Sequence, residues 1–101
     1  MHAIINHLPM KPGTDWQALG AQIDAFSASI RHAGYRGLSL IRAGDNEAII
    51  VVLFSDRAAL EEVSRDVAGP WFAANMKQHL AGPARRSVGE IIAGTLTFGE
   101  R

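Results

Sequence analysis

Seven consecutive apolar residues, Ala48-Ile49-Ile50-Val51-Val52-Leu53-Phe54, constrain this chain more than any other segment. The run falls far short of the ~20 residues a membrane helix needs, and its β-branched content marks it as a strand. Alternation along a strand sends Ile49, Val51 and Leu53 to one side and Ala48, Ile50, Val52 and Phe54 to the other. Both faces are apolar, so the sheet that holds this strand has to be covered twice. The sequence has 101 residues, enough for one domain spanning 1–101 and not for a second.

The flanking segments supply the other elements. Ala3 to Leu8 mixes β-branched and apolar residues and runs into Pro9 and Pro12-Gly13, the composition of a first strand and a turn. Thr14 is an N-cap candidate with Asp15 in the first turn, where a carboxylate suits the helix dipole. Trp16, Leu19, Ile23, Phe26 and Ile30 recur at spacings of three and four and predict a helix with one buried face, ended by Gly34. Near-alternation from Tyr35 to Arg42, the turn Gly44-Asp45-Asn46 and the run Glu47 to Phe54 predict an antiparallel hairpin. Ser55 or Asp56 caps a second helix, lined by Leu60, Val63 and Val67 and broken at Gly69-Pro70. A third helix runs from Pro70 through Trp71, Phe72, Met76 and Leu80 to Gly82-Pro83. Val88 to Phe98, with Ile91, Ile92, Thr95, Leu96 and Thr97, reads as the last strand.

The order β-α-β-β-α-α-β is α+β and ferredoxin-like, a βαββαβ chain with an extra short helix before its last strand. Right-handed crossovers place both long helices on one face of a four-stranded antiparallel sheet. That leaves the second apolar face of the Ala48–Phe54 strand without cover. At roughly 25 cal/mol per Å² of apolar surface, a second copy of the same sheet related by a two-fold axis is the economical solution, so a homodimer is expected. A monomer with an apolar ligand groove on that face is the alternative.

Ten Lys and Arg balance ten Asp and Glu, which gives no basic surplus for a nucleic acid or an anionic membrane surface. The sequence contains no cysteine, which removes disulfides, thiolate metal sites and Cys nucleophiles together. That fits the cytoplasm, and Met1-His2-Ala3 lacks the basic start of a signal peptide. His2, His7, His32 and His79 show neither HxH nor HExxH spacing, so no protein-built metal site is expected. GxGxxG, Walker and GxSxG motifs are missing, and no cofactor is expected.

The third helix carries the most chemistry. Trp71, Asn75 and His79 form an i, i+4, i+8 row with Phe72 and Met76 beside it. An indole can stack on a planar substrate, an amide can hydrogen-bond a phenolate, and an imidazole can take a proton. Core packing is the competing role for all of them. Asn6 lies on the same strand face as Ile4 and Leu8, where an amide costs roughly 1–3 kcal/mol unless it is bonded. It therefore needs either a structural partner or a ligand, and His7 points the other way. Arg36, Arg42, Arg85 and Arg86 are solvated surface or partners for an anionic substrate group. Glu90 is either at a rim or a pocket acid, and Tyr35 is a packing residue at a strand start.

With this element order, two buried sheet faces and the segment Asp66-Val67-Ala68-Gly69-Pro70-Trp71-Phe72-Ala73-Ala74-Asn75, the chain resembles the antibiotic-biosynthesis monooxygenase family over nearly its whole length. The resemblance implies a dimeric α/β barrel. Some members oxygenate polycyclic phenols to quinones without metal or flavin, and one branch degrades haem. Asn6 is similar to the first-strand Asn that haem-degrading members use near their ligand. Their haem-ligating His falls at Asn75, a poor axial ligand, and their pocket Trp falls near Asp66. Two readings follow. In the first, a cofactor-independent monooxygenase holds a small planar phenol or quinol against Trp71, Phe72 and Met76. His79 or a water takes its proton, and Asn6 and Asn75 hold the oxyanion while the ring reacts with O₂. In the second, the fold is a non-catalytic small-ligand-binding or structural dimer; a cofactorless isomerase would use the same groups as the oxygenase.

Overall fold

The computed structural model describes residues 1–94. The elements are β1 (His2–Pro9), α1 (Trp16–Ser29), β2 (Tyr35–Gly44), β3 (Glu47–Phe54), α2 (Arg57–Val63), a π-helical turn (Ser64–Ala68), α3 (Gly69–Asn75), a 3-10 turn (Lys77–His79) and β4 (Arg85–Glu90). The four strands form one antiparallel sheet in the order β2-β3-β1-β4. This is the α+β, ferredoxin-like arrangement that the element order implies.

Strand β1 lies between β3 and β4, and its register fixes the two faces. Ile4 stands opposite Val52 and Val88, and Asn6 opposite Ile50 and Arg86. Directly opposed residues share a face. The helices cover this one, and beneath them lie two clusters. Leu8, Met10, Leu19, Ile23, Ala48, Ile50 and Met76 pack together at one end, and Ile4, Ile30, Phe54, Ala59, Leu60 and Val63 at the other. On the opposite face Ile5, Ile49 and Val51 remain only half-buried, and Ile41 is 44% exposed.

Several local expectations need correction. Asp15 rather than Thr14 is the N-cap of α1: its carboxylate accepts from the Ala18 N–H at 3.0 Å, while Thr14 Oγ1 donates to the Lys11 carbonyl. Helix α1 ends at Ser29, with Ile30 already extended, so Gly34 is not its C-terminal cap. A Cβ at Gly34 would collide with the Ala59 side chain and stand 2.9 Å from Ser55 Oγ, so this glycine lets the α1–β2 connection pass beneath α2.

Gly69-Pro70 does not break the second helix. Gly69 has α-helical dihedrals, and α2 continues through the π turn into α3. A proline ring strikes the carbonyl four residues back in a regular helix, which accounts for the wide turn directly ahead of Pro70. Val67, expected on the buried side, is exposed.

Among the described residues, strand β4 occupies Arg85–Glu90, so it starts three residues before the expected Val88 and leaves 91–94 outside it. Its ladder runs along β1 from His7, opposite Arg85, to His2, opposite Glu90, and ends where β1 begins. The expected strand positions Thr95, Leu96, Thr97 and Phe98 lie outside the described residues.

The glycines give a stability test. A Cβ at Gly69 would stand 2.7 Å from the Ser64 carbonyl oxygen inside the π turn, whereas one at Gly20 meets nothing within 4 Å. Gly69→Ala should therefore destabilise by about 1–3 kcal/mol, and Gly20→Ala, in the middle of α1, should stabilise by roughly 0.5–1 kcal/mol. Urea unfolding of the two variants reads both signs.

Candidate functional site

The helical wall from α2 to α3 presents Arg57, Glu61, Arg65, Gly69 and Ala73 in one row and Leu60, Ser64, Ala68 and Phe72 in the next, each step being four residues. In a regular α-helix a step of four overshoots one turn by about 40°, so rows this long would wind away from the sheet. The π turn takes up one extra residue midway and keeps both rows facing the same way. Opposite them, Ile4 and Asn6 of β1, Val52 and Phe54 of β3 and Arg86 and Val88 of β4 form the floor. A cleft of about 990 Å³ separates wall from floor, ample for a small organic ligand.

The floor is apolar apart from Asn6 and Arg86. Among the described residues no hydrogen bond engages the Asn6 amide, so it is available to a ligand. The lining contains four cations, Arg57, Arg65, Lys77 and Arg86, and one carboxylate, Glu61. Arg57 pairs with Glu61 at 3.0 Å. Arg65 makes a two-pronged contact with Asp66 at 2.8 and 3.0 Å. That hydrogen bonding holds the Asp66 carboxyl below the usual carboxylate range and pushes the Arg65 guanidinium higher still.

The residues singled out from sequence do not gather at one place. Asn6 and Phe72 line the cleft; Trp71, Asn75, Met76 and His79 do not. The Trp71 ring stacks on Phe26 of α1, centroids 4.2 Å apart. Asn75 Nδ2 donates to the Trp71 carbonyl, and its Oδ1 accepts from Gln22 Nε2 at 3.1 Å. Met76 is fully buried in the core cluster with Leu8 and Met10. His79 sits in the 3-10 turn, where its carbonyl accepts from the Lys11 N–H at 2.9 Å. The row Trp71-Asn75 faces α1 because it lies one residue, about 100°, around the helix from the row that holds Phe72.

Tyr35 packs with its ring edge toward Phe54 and shares a hydrogen bond with Ser27 Oγ. Burial raises its phenol above the ordinary tyrosine range, which the Ser27 hydrogen bond partly offsets. Glu90 is exposed at the end of β4, opposite His2 and outside the cleft. Arg42 closes over the Trp16 ring beside a smaller hollow of about 390 Å³ between α1 and β2. Among the described residues no three His, Asp or Glu side chains converge as metal ligands, and no helix is long and apolar enough to cross a membrane.

Reading from sequence missed Lys77 and the Arg57-Glu61-Arg65 row. The strict four-residue spacing from Arg57 to Ala73 is visible in the sequence once α2 and α3 are taken as one continuous wall. Arg86, read from sequence as solvated surface or a partner for an anion, is brought to the cleft floor by its pairing opposite Asn6.

A four-stranded sheet in this order with the helices on one face is a ferredoxin-like fold, the one implied by the resemblance to the antibiotic biosynthesis monooxygenases. Solved structures bear the likeness out. A protein of unknown function from Nitrosomonas europaea, NE2512, superposes with a TM-score of 0.76 at 21% identity, covering 97% of this chain and 95% of that one. SnoaB, a cofactor-independent oxygenase from Streptomyces nogalater, gives 0.67 at 16% identity, covering 98% and 97%. A protein described as an antibiotic biosynthesis monooxygenase gives 0.69 at 12% identity, covering 92% and 100%. At these identities the shared property is the fold. No family model and no curated protein matches the sequence.

The placement of Trp71 and His79 has a measurable consequence. Trp71→Ala should cost about 2–3 kcal/mol of stability, since it removes a stacked aromatic partner at the α1–α3 contact. His79→Ala should stay within about 0.5 kcal/mol of wild type. Chemical denaturation compares them directly.

Proposed function

We propose that the cleft is the active site of a cofactor-independent monooxygenase that acts on a small planar phenol. The observation that carries this reading is the Asn6 amide, free of protein partners among the described residues on a floor whose one other polar side chain is Arg86. The fold shared with SnoaB, itself a cofactor-independent oxygenase, supports the reaction class. Flat apolar walls, Phe72 and Leu60 above and Ile4, Val52 and Val88 below, suit a two-ring or three-ring system.

The chemistry asks little of the chain. The phenolic proton passes to water at the cleft mouth, and Asn6 Nδ2 donates to the phenolate oxygen and stabilises its charge. The electron-rich ring carbon then adds O₂ and the hydroperoxide collapses. One oxygen atom stays on the ring as a quinone carbonyl, and the other leaves as water with the phenolic and ring hydrogens. For 1-naphthol, one naphthol and one O₂ give one 1,4-naphthoquinone and one water. Of the catalytic groups named from sequence, Asn6 keeps its role; His79 and Asn75 have none here, and Phe72 remains as a wall.

Haem chemistry fits the site poorly. Among the described residues the cleft lining has no His, Cys, Met or Tyr to serve as an axial ligand to iron.

The enzyme works as a homodimer, in which the face formed by half-buried Ile5, Ile49 and Val51 and exposed Ile41 meets the same face of a second copy. We place it in the cytoplasm, a reducing compartment that a cysteine-free chain suits.

Oxygen uptake with 1-naphthol and related hydroxynaphthalenes tests the activity. Asn6→Ala should lower kcat/KM by about 10²-fold while leaving stability nearly unchanged. Binding of these phenols without oxygen consumption would make the cleft a ligand-binding module instead. Sedimentation velocity at micromolar concentration should show a dimer, and Val51→Glu should convert it to a monomer; a wild-type monomer would remove the dimer.

A further inference from the structure

Charge is distributed unevenly over this chain. The sequence as a whole is neutral, with ten basic and ten acidic residues, yet the cleft lining holds four cations and one carboxylate. Two of those cations are already compensated, Arg57 by Glu61 and Arg65 by Asp66. Arg86 and Lys77 have no carboxylate partner among the described residues. Arg86 makes only a long contact across the cleft, 3.5 Å from its Nη2 to Ser64 Oγ on the π turn. Most of its five N–H donors are therefore free for another acceptor. It also stands directly opposite Asn6 in the β1–β4 ladder, so the polar strip of the floor runs from the Asn6 amide to a guanidinium.

We infer that the substrate of this cleft is an aryl carboxylate: its ring lies on the apolar floor with its hydroxyl at Asn6, and its carboxylate docks on Arg86 and Lys77. This rests on reading the cleft as a ligand site and deepens that reading by naming the substrate class. The pairing follows from chemistry. A guanidinium offers parallel N–H donors that match the two oxygens of a carboxylate, and an ammonium adds a second point charge. An anion here neutralises a local excess of positive charge, whereas a neutral phenol leaves it uncompensated. A carboxylate next to the phenolic hydroxyl also anchors the ring at two points, which fixes the carbon that meets O₂.

The test compares 1-hydroxy-2-naphthoic acid with 1-naphthol, two probes that differ by the carboxylate alone, using calorimetric titration of the full chain. The acid should bind wild type about tenfold more tightly at low salt, and raising the salt should shrink the gap. Arg86→Gln and Lys77→Gln should each reduce that preference, and the double variant should bring it within about twofold. Arg86→Lys should restore part of it. Arg31→Gln, which removes an exposed charge outside the cleft, should leave it intact. Because Arg86 and Lys77 are exposed, their variants should retain the fold, and circular dichroism checks this.

Equal affinity for the two probes in wild type would overturn the carboxylate inference and leave the oxygenase reading standing. A preference that survives the double variant would overturn it too. Tight binding of the acid, lost in the double variant, with no oxygen uptake would support the carboxylate and defeat the oxygenase. Binding of neither probe would defeat both.

Discussion

Strand β1 is paired along both edges, to β3 on one side and β4 on the other, and almost everything else follows from that. Its even-numbered residues point toward the helices. Ile4 and Leu8 join the two hydrophobic clusters, and the half-buried Asn6 falls between them. The ladder also sets where β4 stops and brings Arg86 alongside Asn6. A polar strip in an apolar floor is thus a product of register, and a one-residue slip would turn it to the other face.

The helical side answers the same constraint. A wall that follows the sheet from Arg57 to Ala73 needs rows at four-residue spacing, which a regular α-helix cannot hold straight. One π turn, made where Pro70 forbids a tight helix and Gly69 leaves room for the Ser64 carbonyl, supplies the missing residue. The same device that relieves a proline clash therefore shapes the cleft. The α1–α3 contact, with Trp71 on Phe26 and Asn75 on Gln22, holds the far side of this wall in place.

Much of the fold was legible in the sequence because hydrophobic periodicity reports local geometry directly. The Ala48–Phe54 run, the Asp45-Asn46 turn and the helix from Trp16 onward each carry their own signal. The end of β4 did not, since its extent depends on the partner strand; Val88 to Phe98 has strand composition, but the ladder closes at Glu90. For the site, Asn6 was legible as a polar residue on an apolar strand face. The helix-α3 row was misdirected because Trp71, Asn75 and His79 share a face that meets α1, and sequence alone cannot say which face of an amphipathic helix meets a cavity. The cations fell among surface residues, since Arg57, Arg65 and Lys77 look solvated until the opposing wall is known.

The central claim is that a planar phenol binds with its oxygen at the Asn6 amide. Following the Asn6 side-chain NH₂ resonances in an NMR titration with 1-naphthol tests this most directly. The largest shifts should fall on the Asn6 amide and on Phe72, with the Trp71 indole and the His79 imidazole nearly unmoved. Shifts centred on Trp71, Asn75 and His79, with Asn6 unchanged, would contradict it.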